Sequence, residues 1–166
     1  MADPLTVHER VLQTLRTEGQ AMLALAEGLN TDESQRLAWA KAVELLIPCQ
    51  GHLVVSGMGK SGHIGSKIAA TMASTGTPAQ FVHPGEASHG DLGMIASGDA
   101  VLALSWSGET VELASLIDYA KRFSIPLIAL TSGADSLLGR QADICITLPN
   151  SAEACPNGLA PTTSTT

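Results

Sequence analysis

Aromatic residues are scarce in this sequence, with two Trp, two Phe and one Tyr in 166 positions. A core therefore has to be assembled from Ala, Leu, Ile, Val and Met, drawn close through sixteen glycines. No C-x-x-C pair is present. Cys49, Cys145 and Cys155 are odd in number and widely spaced, which argues against a disulfide framework or a zinc ribbon and points to a reducing compartment. There is no basic cluster either. Nine Lys and Arg against sixteen Asp and Glu give a formal charge of -7, whereas binding a nucleic-acid backbone needs a surplus of cations on one face. No run approaches the ~18 apolar residues of a membrane span. The start, Met1 to Arg10, carries Asp3, Glu9 and Arg10 in place of the apolar stretch of an export signal. A soluble, cytoplasmic protein with no nucleic-acid and no membrane partner is expected.

What is present is a 45% hydrophobic content, enough for one domain to bury a core without disulfides or metals. From Leu5 to about Leu29, the residues Leu12, Leu15, Gly19, Met22, Ala26 and Leu29 recur at steps of three and four, as on a helix with one apolar stripe. That stripe either docks on its own domain or makes a subunit contact. A second helical pattern runs from Asp32 to Ile47 and stops before Pro48 and Gly51. Short apolar runs then follow near residues 52–56, 79–82, 100–105, 126–131 and 143–148. Runs such as Val101-Leu102-Ala103-Leu104 are apolar at every position, as strands covered on both faces must be. The pattern predicts a doubly wound α/β domain with a five-stranded parallel sheet, preceded by two helices. In such sheets ligands bind at the carboxyl ends of the strands, so function is sought in the strand-to-helix loops.

The first such loop, Ser56-Gly57-Met58-Gly59-Lys60-Ser61-Gly62, has the context in which backbone N–H groups approach an anion. It is not a Walker A loop, because the Gly required five residues before Gly59 is Val54. Gly57, Gly59 and Gly62 satisfy G-x-G-x-x-G, but a dinucleotide site also needs an acid at the end of the second strand. That end reads Phe81-Val82-His83-Pro84, and Glu86 falls beyond it. A plain glycine turn with an exposed Lys is the alternative. The second loop, Ser105-Trp106-Ser107-Gly108-Glu109-Thr110, precedes a helix containing Val111, Leu113, Leu116 and Ile117. Ser107 as an N-cap with Glu109 against the helix dipole would explain two residues and leave Ser105 and Thr110 without a reason. Hydroxyls bracketing a helix start, with free N–H groups, make a neutral cradle for a phosphate monoester. The net acidic charge does not oppose this, since a site's field is set within a few ångströms.

Groups able to move protons lie close by in the sequence. Glu112 stands three residues beyond Glu109, on nearly the same helix face. The segment His83 to Asp91 packs two His and two acids into nine residues, without a recognised ligand spacing on a helix, and is read as a polar, substrate-facing loop more readily than as a metal site. Glu153 follows the last strand. A carboxylate, an imidazole and a lysine near a phosphate cradle are the parts of an enediol isomerase.

Val55 to Ser61, His83 to Asp91, Ser105 to Glu112, and Glu153 to Thr166 together resemble the arabinose-5-phosphate isomerases, a family of sugar-phosphate isomerases built on SIS domains. The Ser-x-Ser-Gly-Glu-Thr pattern is common to SIS domains, while Gly-Met-Gly-Lys-Ser, His-Gly-Asp and Glu-Ala-Cys-Pro with Leu-Ala-Pro-Thr-Thr-Ser-Thr-Thr point to this subfamily. The resemblance implies a flavodoxin-like sheet and a homotetramer. It also implies interconversion of ribulose 5-phosphate and arabinose 5-phosphate on the way to the Kdo sugar of lipopolysaccharide, with no cofactor and no metal. It assigns Ser61, Ser105, Ser107 and Thr110 to the phosphate, with Ser56 in the same set, and Lys60, His89, Glu112 and Glu153 to the reacting end. Glu153 would be the base and Lys60 the group stabilising the oxyanion, with His89 and Glu112 orienting hydroxyls or relaying protons. Two departures stand out. Trp106 is bulky for its place in the serine loop, and relatives continue past Thr166 with a helix, a His-Pro-Gly-Gly segment and CBS domains, so a chain cut short is expected. A non-catalytic sugar-phosphate sensor is the alternative reading, since it shares the serine loop and needs no proton shuttle.

Overall fold

The computed structural model describes residues 4–166. The first three residues of the polar start, Asp3 among them, lie outside the described residues. The chain divides into two compact units, one formed by the residues up to Glu33 with 149–166, the other by Ser34–Leu148.

The larger unit takes in α2 (Glu33–Leu46) from Ser34 onward, and α1 (Pro4–Thr31) belongs to the other unit. Its sheet has five strands: β1 (Leu53–Gly57), β2 (Ala79–Phe81), β3 (Ala100–Leu104), β4 (Leu127–Thr131) and β5 (Ile144–Thr147). They are parallel throughout, in the order β2-β1-β3-β4-β5. The sheet and its two faces follow from the all-apolar runs. Val54, Val101, Ala103, Leu127 and Ala129 point into a cluster with Leu113, Leu116, Ile117 and Leu138. Their neighbours Leu53, Val55 and Leu104 point the other way, onto Ala69, Ile64 and Ile68. Alternate residues thus serve opposite faces, and both faces are covered.

Helices α3 (Gly59–Ser74), α4 (Pro84–Ala87), α5 (Ala114–Arg122) and α6 (Leu137–Gln141) connect the strands. The third glycine of the G-x-G-x-x-G spacing has a packing role. A Cβ on Gly62 would lie 2.5 Å from the Gly57 carbonyl oxygen, so glycine is what lets α3 press against the end of β1. Helix–strand packing accounts for that residue without a dinucleotide.

The strand order supplies what periodicity could not. The direction of winding reverses across the sheet between β1 and β3, which lie side by side with Gly57 paired to Leu104. The loops leaving these two strands therefore flank the topological switch point, where open α/β sheets take their ligands.

The smaller unit holds α1 and the segment 149–166, whose 3-10 turn Thr163–Thr165 lies against α1. Of the stripe expected on α1, Leu12 and Leu29 are half-buried, while Leu15 is 61% exposed and Gly19, Met22 and Ala26 are exposed as well. Val7 and Val11 are also about half exposed. At steps of four, four and seven, Val7, Val11, Leu15 and Met22 share one narrow face of the helix. Among the described residues no helix is long and apolar enough to cross a membrane.

Candidate functional site

The loop after β3 is built from inside outward. Ser105 is buried, its N–H donates to the Leu130 carbonyl on β4, and its hydroxyl accepts from the Gly108 N–H at 3.0 Å. That hydroxyl also shares a 2.7 Å hydrogen bond with the hydroxyl of Thr110. Gly108 has φ +70, in the left-handed region, and a Cβ there would run into the Ser136 hydroxyl. Ser107 stays exposed, and its hydroxyl accepts from the Glu109 N–H two residues on, at 3.2 Å.

The helix expected directly after this loop starts later. Val111–Leu113 is a 3-10 turn and α5 begins at Ala114. Ser107 is therefore a turn residue bonding its own backbone locally, and it caps no helix. Glu109 lies away from the α5 dipole. Its carboxylate accepts from the Leu137 N–H at 2.9 Å and so serves the first turn of α6. Glu112 sits exposed in the 3-10 turn, so the helix face it was expected to share with Glu109 is not formed.

A third loop, between β4 and α6, holds the serine loop from behind. The Trp106 carbonyl accepts from the Ser132 N–H at 2.9 Å, the Ser132 hydroxyl at 2.8 Å and the Thr131 hydroxyl at 3.1 Å. The Leu138 N–H donates to the Gly108 carbonyl at 3.0 Å. Thr131, Ser132 and Ser136 were not singled out from the sequence. The signal that could have found them is Thr131-Ser132-Gly133 following a fully apolar strand, the same order of parts as in the serine loop.

The loop after β1 places Lys60, exposed, and Ser61, half-buried, in the first turn of α3. Ser56 has a different place from the anion-binding one expected of it. It is completely buried, and its hydroxyl donates to the Val82 carbonyl at 2.8 Å, tying β1 to the segment after β2. Beyond β2, the His83 ring accepts from the Gly85 N–H at 3.2 Å and caps α4, with Pro84 in the first helical position. His89 is exposed just past α4. The α4 helix packs against the Val111–Leu113 turn, with Ala87 and Leu113 in one buried cluster. The His89 segment and Glu112 are thereby carried on adjoining elements at the carboxyl edge of the sheet.

Glu153 belongs to the other unit, and its surroundings are as well defined. One of its oxygens, Oε2, accepts from the Thr162 N–H at 2.6 Å, the Thr162 hydroxyl at 2.8 Å and the Ser164 N–H at 3.4 Å. Desolvation pushes this carboxyl up, but the bonds from the Ser164 hydroxyl and from Thr162 outweigh it and hold the pKa down to about 2. Two residues on, the Cys155 thiol is held below its ordinary value by the backbone N–H groups of Ala160, Leu159 and Asn157. The donors of this short segment gather on the Glu153 carboxylate.

The SIS domain family matches residues 46–166. Over 156 residues the chain is 55% identical to a Yersinia pestis protein named arabinose 5-phosphate isomerase KdsD, covering 93% of this chain and 45% of that one. It is 47% identical over 156 residues to the Escherichia coli arabinose 5-phosphate isomerase KpsF, covering 94% and 48%. The chain thus spans about half the length of the curated relatives it matches. A solved structure of an E. coli CFT073 protein in complex with arabinose 5-phosphate superposes with a TM-score of 0.88 at 37% identity, over 99% of this chain and 84% of that one. The family match extends over most of the chain, it takes in the loops after β1, β2 and β3 together with Glu153, and on that ground the chain belongs to the SIS domain family.

Proposed function

We propose that this chain is an aldose-ketose isomerase that interconverts ribulose 5-phosphate and arabinose 5-phosphate through a cis-enediol, and that it works in the cytoplasm. The observation that carries this reading is the serine loop opening at the switch point between β1 and β3, braced from behind by the β4–α6 loop. The names of the relatives and the sugar-phosphate complex of the solved one support the same substrate class.

In this reading Ser61, Ser107 and Thr110 hold the phosphate with backbone N–H groups near the start of α3, while Ser105 shapes the loop from within. Glu153, ionised at neutral pH, takes the proton alpha to the carbonyl and returns it to the neighbouring carbon. Lys60 stabilises the oxygen that becomes negative, and His89 and Glu112 orient hydroxyls or pass a proton between the two oxygens. Atoms balance without an added reagent, since one C–H proton changes carbon and one O–H proton changes oxygen.

The protein also works as a homo-oligomer, a tetramer in this proposal, with the exposed face of Val7, Val11, Leu15 and Met22 on α1 as a contact between copies. Leu15→Glu is expected to reduce the assembled mass measured by light scattering, and an unchanged mass would remove α1 from the contact.

The test of the activity is a direct assay with ribulose 5-phosphate. Glu153→Gln should lower turnover by about 10² to 10⁴, the usual worth of a general base, while leaving sugar-phosphate binding nearly intact. Binding of a pentose 5-phosphate without any turnover by the parent chain would instead favour a sensor.

A further inference from the structure

We infer that Thr162 is a positioning residue for Glu153, and that its hydroxyl is the hinge-pin that fixes the carboxylate for proton transfer. The inference rests on the reading of Glu153 as the base and extends it to a residue that the phosphate cradle does not include.

Ser164 also donates to this carboxylate, through its N–H at 3.4 Å and its hydroxyl, but it is Thr162 that links the carboxylate to the backbone following it. The Thr162 N–H and hydroxyl both donate to the same oxygen, Oε2 of Glu153, at 2.6 and 2.8 Å. The hydroxyl oxygen also accepts from the Ala154 N–H at 2.8 Å and the Cys155 N–H at 3.2 Å. One side chain therefore grips the carboxylate and the two residues that follow it in the sequence. A donated hydroxyl proton and two accepted N–H groups use the full bonding capacity of a threonine hydroxyl. Thr163 adds a second hold on the same backbone, accepting from the Ala154 N–H at 3.0 Å, and is itself buried. The carboxylate is thus referred to the backbone that carries it through a closed ring of hydrogen bonds, and rotation of Glu153 breaks several of them together.

Such a hold has a cost in basicity, because every donor on Oε2 stabilises the ionised form. Its benefit is orientation, which in proton transfer is sensitive to displacements of about 1 Å. Thr162 acts through Glu153 alone and needs no contact with the substrate.

The experiment uses the full chain and five forms: the parent, Thr162→Val, Thr162→Ser, Glu153→Gln, and Thr162→Val combined with Glu153→Gln. For each, kcat and KM are measured with ribulose 5-phosphate, and where Glu153 is present its carboxyl titration is followed by isotope-edited NMR. Thr162→Val is expected to lower kcat about tenfold with KM within about twofold, and Thr162→Ser to restore most of it. The double variant should be no slower than Glu153→Gln alone, since the residue acts through the group already removed. The Glu153 midpoint should rise from about 2 in Thr162→Val and stay in place in Thr162→Ser. An unchanged or increased kcat in Thr162→Val, a further loss in the double variant, or an unmoved midpoint overturns the inference. If Glu153→Gln turns over like the parent, or the parent does not turn over at all, the reading of Glu153 as the base fails first. The titration then still decides separately whether Thr162 governs the carboxylate. Where Thr162→Val loses its melting transition, Thr162→Ala takes its place in the titration, with a rise of the Glu153 midpoint expected and no rise overturning the inference.

Discussion

Two hydroxyl-rich runs in this chain have opposite constructions. In the serine loop, Ser105 and Thr110 bond to each other and Ser105 takes the Gly108 N–H, so the Ser105 hydroxyl is spent on the shape of a turn. In the terminal run, Thr162 and Ser164 send both their N–H groups and their hydroxyls to a single carboxylate, so the donors are spent on a charge. Hydroxyl density marks a place where backbone and side chain negotiate. The nearest acceptor decides whether the outcome is a cradle with its polar groups turned inward or a hold on an anion that belongs to the protein.

The largest test of this contrast is at Gly108. Gly108→Val puts a branched side chain at a positive φ and against Ser136. A loss of about 2–4 kcal/mol is expected from backbone strain and overpacking, read as a fall in melting temperature with loss of the stabilisation given by a pentose phosphate. A variant as stable as the parent would mean the turn can reform without its glycine. Next in size is the pair Ser105→Ala and Ser107→Ala. Removing the buried hydroxyl should cost about 1–3 kcal/mol, because the groups it serves are left without their partner. Removing the exposed one should change stability by less than about 0.5 kcal/mol while weakening sugar-phosphate binding in calorimetry. Equal effects at the two positions would erase the division between shaping and binding hydroxyls.

A third effect belongs to the terminal run and is read by pH. Glu153 has a folded pKa of about 2, below its ordinary value of 4.5. Its ionised form therefore contributes stability above pH 4.5, and that contribution fades as pH falls from 4.5 toward 2. The parent should lose about 1 kcal/mol more than Glu153→Gln over that range, a discounted figure because water screens a half-buried group. Parallel acid-unfolding curves would mean the donors around Oε2 add nothing to folding.

The sheet was legible because its strands are apolar at every residue, a pattern that few other elements produce. The ends observed for Leu53–Gly57, Ala100–Leu104 and Leu127–Thr131 fall within about two residues of those expected. The serine loop was legible as a loop leaving a buried strand. Its bracing was not, because a hydrogen bond from Thr131 or Ser132 to the Trp106 carbonyl spans about 25 residues of sequence and obeys no period. The late start of α5 was hidden for a local reason. Val111 and Leu113 fit a helical stripe, but the chain must leave the tight turn at Gly108 before an α-helix can begin, and a 3-10 turn fills the interval. Ser56 was misplaced because a serine at the end of a strand reads the same whether its hydroxyl meets a ligand or, as here, a neighbouring carbonyl. The hold of the terminal hydroxyls on Glu153 was hidden for the same reason as the bracing, since the bonds from Thr162 to its carboxylate span nine residues and obey no period.

On the proposed reading of the serine loop as a phosphate site, the clasp on the Trp106 carbonyl and the Gly108–Leu138 bond bears on the speed of recognition. A pocket wall assembled before its guest arrives spends little entropy on ordering when the guest docks. Association of a small anion should then follow a single exponential in rapid mixing, with an observed rate that climbs in proportion to concentration and no slow closing step behind it.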